Sequence, residues 1–278
     1  MREACGSAPA APREGTRMML SGKRATVFAA DEKLGEMVAR HLARQGAEVW
    51  VSGLDTEAVE ALAEKIRADG GEAHSATVDP TDPYHVREYV NAVVSKGPLD
   101  ASFNGFEVPA NSAGMGVPYR ELDPAVFTDV LGEVVGAQFL TSREAARVMV
   151  PAGRGSIVTI ASTNGSSGRP HTGALGAVAG ALEALARSMA SEYGPNGIRV
   201  NHVRATRLST GPMYHANALG RPVTVDEVAA TVAWLCADAS SAVTGQIVEV
   251  SGGEQGLSES VAAHREHGKE RHVELDLP

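Results

Sequence analysis

Residues Gly155 to Asn201 read GSIVTIASTNGSSGRPHTGALGAVAGALEALARSMASEYGPNGIRVN, and their order decides the fold. Ile157-Val158-Thr159-Ile160 has the length and branched side chains of a buried parallel strand. The Ala/Leu-rich run from about Leu175 to Tyr193 has helical spacing. Gly194-Pro195-Asn196-Gly197 stops that helix, and Ile198-Arg199-Val200-Asn201 begins the next strand. In this layout a catalytic enzyme places polar side chains at the end of the strand and on the first turns of the helix. Here those turns carry Leu175, Gly176, Ala177, Val178 and Ala179.

The same alternation extends on both sides. Upstream, strands are predicted at Ala25–Ala29, Glu48–Ser52, Ala73–Val78 and Leu99–Asn104. They alternate with helices over Leu34–Gln45, Thr56–Asp69 and about Tyr84–Lys96, and a long helical stretch covers about Pro124–Met149. Downstream, Val223–Asp238 reads as a helix with Thr224 as N-cap ahead of Asp226-Glu227, and Ile247–Val250 as a last strand. About seven alternations require a parallel sheet with right-handed crossovers, hence an α/β, Rossmann-like doubly wound single domain over residues 21–253. Residues 1–20 lack periodicity and read as a disordered arm, and 254–278 as a charged tail. His264, His267 and His272 sit among Arg, Glu and Lys in that tail, so a solvated tail is preferred to a metal site, and no metal is expected.

The 278 residues are 43% apolar and 21% charged, ordinary for a soluble globular protein. A net charge of -9 argues against a nucleic-acid partner and an anionic membrane surface. No apolar run approaches the ~20 residues that span a bilayer, and no secretion signal is visible. Cys5 and Cys236 are the only cysteines, which makes a reducing cytoplasm the default expectation.

Several runs together resemble the short-chain dehydrogenase/reductase family from about Ser21 to Gly253. They are Ser21-Gly22-Lys23, Asp79, Leu99-Asp100, Gly155-Ser156-Ile157-Val158, Ala184–Ala190, Asn196–Asn201, Val243-Thr244-Gly245-Gln246 and Ser251-Gly252-Gly253. The resemblance implies a glycine-rich turn after the first strand, where small residues let the backbone approach a pyrophosphate. In the run Ala29–Gly35 only Gly35 survives. Ala29 and Lys33 hold the other glycine positions, and Asp31 and Glu32 add negative charge. At the end of the second strand the acidic reader of NAD or the basic reader of NADP is replaced by Ser52-Gly53-Leu54, with Asp55 two residues past the usual acidic position. Asn104 retains the first residue of the family's Asn-Asn-Ala-Gly. Asn111-Ser112-Ala113-Gly114 mimics that motif from within a loop.

The resemblance further implies a serine, a tyrosine, a lysine and a helix asparagine that together move a proton. Ser162 matches the serine. The other positions fall on Leu175, Ala179 and Glu133, none of which can replace its counterpart in kind. The Pro-Gly that cups the nicotinamide is Ala205-Thr206, and the segment that usually forms a lid is short at Met213–Leu219.

Three readings follow. The leading one is a non-catalytic, degenerate member serving as a partner subunit, with NAD(P) binding weak or absent and no cofactor. It would form a homodimer, a homotetramer or a hetero-oligomer with an intact family member, through the small residues at 174–181 and the helix near Val130–Val150. In that reading Gly35, Asp79 and Asn104 are vestiges of the cofactor site. The second is a cofactor-free dehydratase, isomerase or cyclase using Ser162, Glu133 and His171, with His202 as a further candidate; against it, Glu133 would pair with an arginine and the histidines would be ordinary residues. The third is an NAD(P)-dependent oxidoreductase with a remodelled site in which Lys33 grips a phosphate.

Overall fold

The apolar periodicities close into one sheet with helices on both faces. In this computed structural model residues 18–106, 112–162, 170–205, 217–219 and 221–253 are described. In chain order the elements are β1 (Arg24–Phe28), α1 (Lys33–Arg44), β2 (Glu48–Gly53), α2 (Thr56–Ala68), β3 (Glu72–Thr77), α3 (Pro83–Val94) and β4 (Ala101–Asn104). They continue with α4 (Pro124–Val130), α5 (Gly136–Ala152), β5 (Gly155–Ser162), α6 (Leu175–Tyr193), β6 (Ile198–Ala205), α7 (Val225–Cys236) and β7 (Ile247–Val250). The strand order is β3-β2-β1-β4-β5-β6-β7, every pair parallel. The order reverses at β1, between β2 and β4, and a doubly wound sheet binds its ligands in the crevice at that reversal, beyond the carboxyl ends of the strands.

Two layers of core cover the sheet. On one face Leu34, Val38 and Leu42 of α1 pack with Val59, Leu62 and Ile66 of α2 and with Val228, Val232 and Leu235 of α7. On the other, Val86, Val90 and Val93 of α3 pack with Leu140 and Met149 of α5 and with Met189 of α6. Leu20 is fully buried in the first layer, and its N–H donates to the Gln45 carbonyl, so the packed structure already begins ahead of β1.

Two elements differ from the sequence expectation. The helix expected over 124–149 is built from α4, a π-helical turn at Leu131–Val135 and then α5. That inserted wide turn carries Glu133, and single π turns of this kind recur at functional sites. β5 and β6 also run on to Ser162 and Ala205, because each completes its backbone ladder along the other. Thr224 caps α7 in a full capping box with Glu227.

The arm to residue 17, the tail from 254, Cys5 and the three tail histidines lie outside the described residues, as do Asn111, Thr206 and most of the short lid segment. Among the described residues no helix is long and apolar enough to cross a membrane, and no His/Cys/Asp/Glu group could hold a metal ion. Cys236 is buried with a free thiol, which burial pushes up to about 12.

Candidate functional site

Parallel strands bring the ends of β1 to β6, and the turns that follow them, to one edge. Ala29 follows β1, Gly53 ends β2, Asp79 follows β3, and Asn104, Ser162 and Ala205 end β4, β5 and β6. The β1–α1 turn is set by backbone geometry. Ala29 takes the left-handed conformation at φ 55°, which glycine adopts freely and alanine only with strain. Gly35 lies on the first turn of α1 directly against it, and a Cβ at Gly35 would overlap the Ala29 carbonyl. The chain thus keeps the tight path of a glycine-rich turn with alanine in its first glycine position. The N-cap of α1, Glu32, makes no capping hydrogen bond with its side chain, so the amides of the first helical turn are not claimed by that route. Lys33, exposed, stands on that turn. These features fit a dinucleotide phosphate.

Asp31 does not point back at its own turn. Its Oδ2 accepts the N–H groups of Leu54 (2.8 Å) and Asp55 (3.0 Å) at the end of β2. Asp55 in turn caps α2, its Oδ1 accepting from the Ala58 N–H at 3.1 Å. Asp79 closes a loop on itself: Thr81 donates to its Oδ1 through both N–H (2.8 Å) and Oγ1 (2.6 Å), and these bonds hold the carboxyl below its ordinary range. Asn104 is fully buried, with Nδ2 donating to Ser142 Oγ at 2.7 Å, so it ties β4 to α5.

The groups named for proton work form no enclosed acid/base pair among the described side chains. Ser162 lies opposite Ala205 at the end of β5, and its side chain is outside the described residues. Glu133 and His171 are both exposed, so no buried acid/base pair forms between them. His171 is held at φ 61°, and its carbonyl accepts the Gly116 N–H at 2.8 Å. His202 is fully buried within β6, Nδ1 at 2.8 Å from Thr159 Oγ1; burial, helped by Arg204 and Arg187, pushes it down to about 3. A neutral, enclosed imidazole of this kind is part of the core rather than a proton carrier for a pocket. Leu175 and Ala179 are buried, at 8% and 3% exposure.

One group escaped the sequence reading. Tyr119 comes from the loop before α4, and its hydroxyl donates to the Gly173 carbonyl at 3.2 Å, two residues ahead of Leu175, with Thr172 Oγ1 at 3.4 Å. It is 60% exposed. The loop is fixed there by the Ala174 N–H donating to the Ala113 carbonyl at 2.9 Å, and by Gly173, whose Cβ would overlap that carbonyl. The sequence carries no local signal for this contact.

A family model described as "Enoyl-(Acyl carrier protein) reductase" matches residues 29–255. Gluconate 5-dehydrogenase of Gluconobacter oxydans is 31% identical over 248 residues, covering 84% of this chain and 95% of its own. Cis-4-hydroxycyclohexanecarboxylate dehydrogenase of Sinomonas cyclohexanicum is 32% identical over 243 residues, covering 82% and 95%. A crystal structure described as a candidate gluconate dehydrogenase from Agrobacterium tumefaciens superposes with a TM-score of 0.79 at 26% identity, covering 87% of this chain and 99% of that one. These relatives are named as dehydrogenases and reductases. They overturn both the expectation of a non-catalytic partner subunit or cofactor-free enzyme and the expectation of weak or absent NAD(P) binding. The physical reason for the error lies in the β1–α1 turn: counting glycines treated Ala29 as a blockade, whereas the backbone holds the left-handed conformation without one. With the match running from residue 29 to 255 and relatives above the 30% level along most of its length, this chain belongs to the short-chain dehydrogenase/reductase family.

Proposed function

We propose that the protein is an NAD(P)-linked oxidoreductase interconverting an alcohol and a ketone on a small polar substrate. The observation that carries this reading is the β1–α1 turn, where Ala29 at φ 55° and the close-packed Gly35 preserve the backbone path of a dinucleotide site. The nicotinamide supplies or takes up the hydride when bound. The turn amides and Lys33 hold phosphate, while Asp79 and Asn104 brace the loop after β3 and the end of β4 at the same sheet edge. The names of the relatives, gluconate and cis-4-hydroxycyclohexanecarboxylate dehydrogenases, support hydroxy acids as the first substrates to try.

The acid/base device is remodelled in this reading. Leu175 and Ala179 carry no proton, so we assign proton exchange with the substrate oxygen to the Tyr119 hydroxyl at the head of α6, with Ser162 orienting that oxygen. The domain runs to residue 253 and begins no later than Leu20, which is buried in its core, so its start lies ahead of the expected residue 21. Family members are commonly oligomers, and a homodimer or homotetramer is supported here by the exposed small residues Gly180, Ala184 and Ser188 along α6. A cytoplasmic location is supported by the free, buried Cys236.

The test is a nucleotide titration followed by an absorbance assay with gluconate and cis-4-hydroxycyclohexanecarboxylate. Binding of NADH or NADPH below ~1 mM and turnover of at least one alcohol are expected. Absence of nucleotide binding sinks the proposal.

A further inference from the structure

At the end of β2, position 53 is where the resemblance places an acidic reader of the nucleotide ribose, and this chain has glycine there. The space is not empty. A Cβ at Gly53 would overlap the carboxylate of Asp31, which crosses from the β1–α1 turn and docks on the Leu54 and Asp55 N–H groups. Both donors bind Oδ2, and among the described residues no donor binds Oδ1. The carboxylate therefore stands where a side chain from residue 53 would project, with one oxygen still able to accept. Glycine at 53 is what makes room for it. Residues 52–57 contain Asp55 and Glu57 and no cation, so the loop after β2 offers a phosphate no positive partner of its own.

We propose that Asp31 supplies from a different element the ribose-diol acceptor that position 53 lacks, and that it selects NAD(H) over NADP(H). The inference rests on the functional reading above. Both hydroxyls of the diol can donate to a free carboxylate oxygen; in NADP(H) the 2′-hydroxyl is replaced by a phosphate, whose negative charge the carboxylate repels.

Binding of NADH and NADPH to the full-length protein is measured by titration for the wild type, Asp31→Asn and the exchange Asp31→Ser/Gly53→Asp. Asp31→Asn keeps an oxygen for the Leu54 and Asp55 amides and removes only the charge. The wild type is expected to prefer NADH by about tenfold or more, the size of one charge-assisted hydrogen bond. Asp31→Asn should shrink that preference by about tenfold with an unchanged melting temperature, and the exchange should restore it. A wild-type preference near unity or toward NADPH overturns the assignment while leaving the oxidoreductase reading intact. An unchanged preference in Asp31→Asn overturns it too, because a mere backbone clip would not shift the ratio. Failure of the wild type to bind either nucleotide overturns both.

Discussion

Ala29 is the residue at which conformation and composition part company. A non-glycine side chain at φ 55° carries strain of about 1–3 kcal/mol, whereas glycine gives back about 0.4–1 kcal/mol of unfolded-state entropy. Ala29→Gly is therefore expected to raise the unfolding free energy by between about 0 and 2.5 kcal/mol in urea denaturation. Gly35→Ala should act oppositely and more strongly, with a loss of more than about 2 kcal/mol, because the new methyl group meets backbone rather than a movable side chain. Tyr119 belongs to the same scale. Replacing it with phenylalanine removes a hydroxyl from an exposed ring, so the melting temperature should hold while turnover falls by about 100-fold or more. Equal turnover in that variant would move proton transfer to another group.

Among the elements, α7 and α5 show how polar residues fasten an otherwise apolar frame. The capping box of α7 joins Thr224 to Glu227, which also receives Arg221 Nη2 at 2.6 Å. Thr224→Ala should cost about 1 kcal/mol, read as a lower denaturation midpoint at unchanged m-value. In α5 the Glu144 side chain is only 1% exposed and is held by Arg87 at 3.1 Å and Arg147 at 2.7 Å. Burial alone would raise its carboxyl; the hydrogen bonds from the two arginines outweigh that and lower it. That pairing joins α3 to α5 at the rim of the second core layer.

For the whole molecule, His202 makes stability depend on pH. Its folded value of about 3 lies below the ordinary 6.5, so between those values the unfolded chain binds a proton that the folded chain refuses. The contribution of His202 is therefore present in full above 6.5 and is lost as pH falls toward 3, by an amount on the order of a few kcal/mol. Denaturation midpoints measured from pH 7 down to 4 should fall, and His202→Gln, which cannot take up the proton, should flatten that slope. A variant with the wild-type slope would assign the acid sensitivity to carboxylates such as Glu227, which its Arg221 partner holds at about 2.

The alternation of branched strands with amphipathic helices was sufficient to determine a seven-stranded, doubly wound fold, because hydrophobic period and helix stop signals are local properties of the chain. The α6 boundaries, Leu175–Tyr193, could be read directly for that reason. The resemblance to the family, not the local pattern, implied that its tyrosine and lysine positions fall on Leu175 and Ala179. The sequence reading misjudged the consequence, since a missing glycine does not reveal whether the backbone still adopts the turn. Only the tertiary structure decided that Ala29 sits at φ 55°, that Tyr119 reaches the head of α6, and that His202 is enclosed while Glu133 and His171 face solvent. Asp31 and Gly53 lie 22 residues apart (53 − 31) and on different elements, and their complementarity is a matter of excluded volume between side chain and strand, which no sequence spacing records.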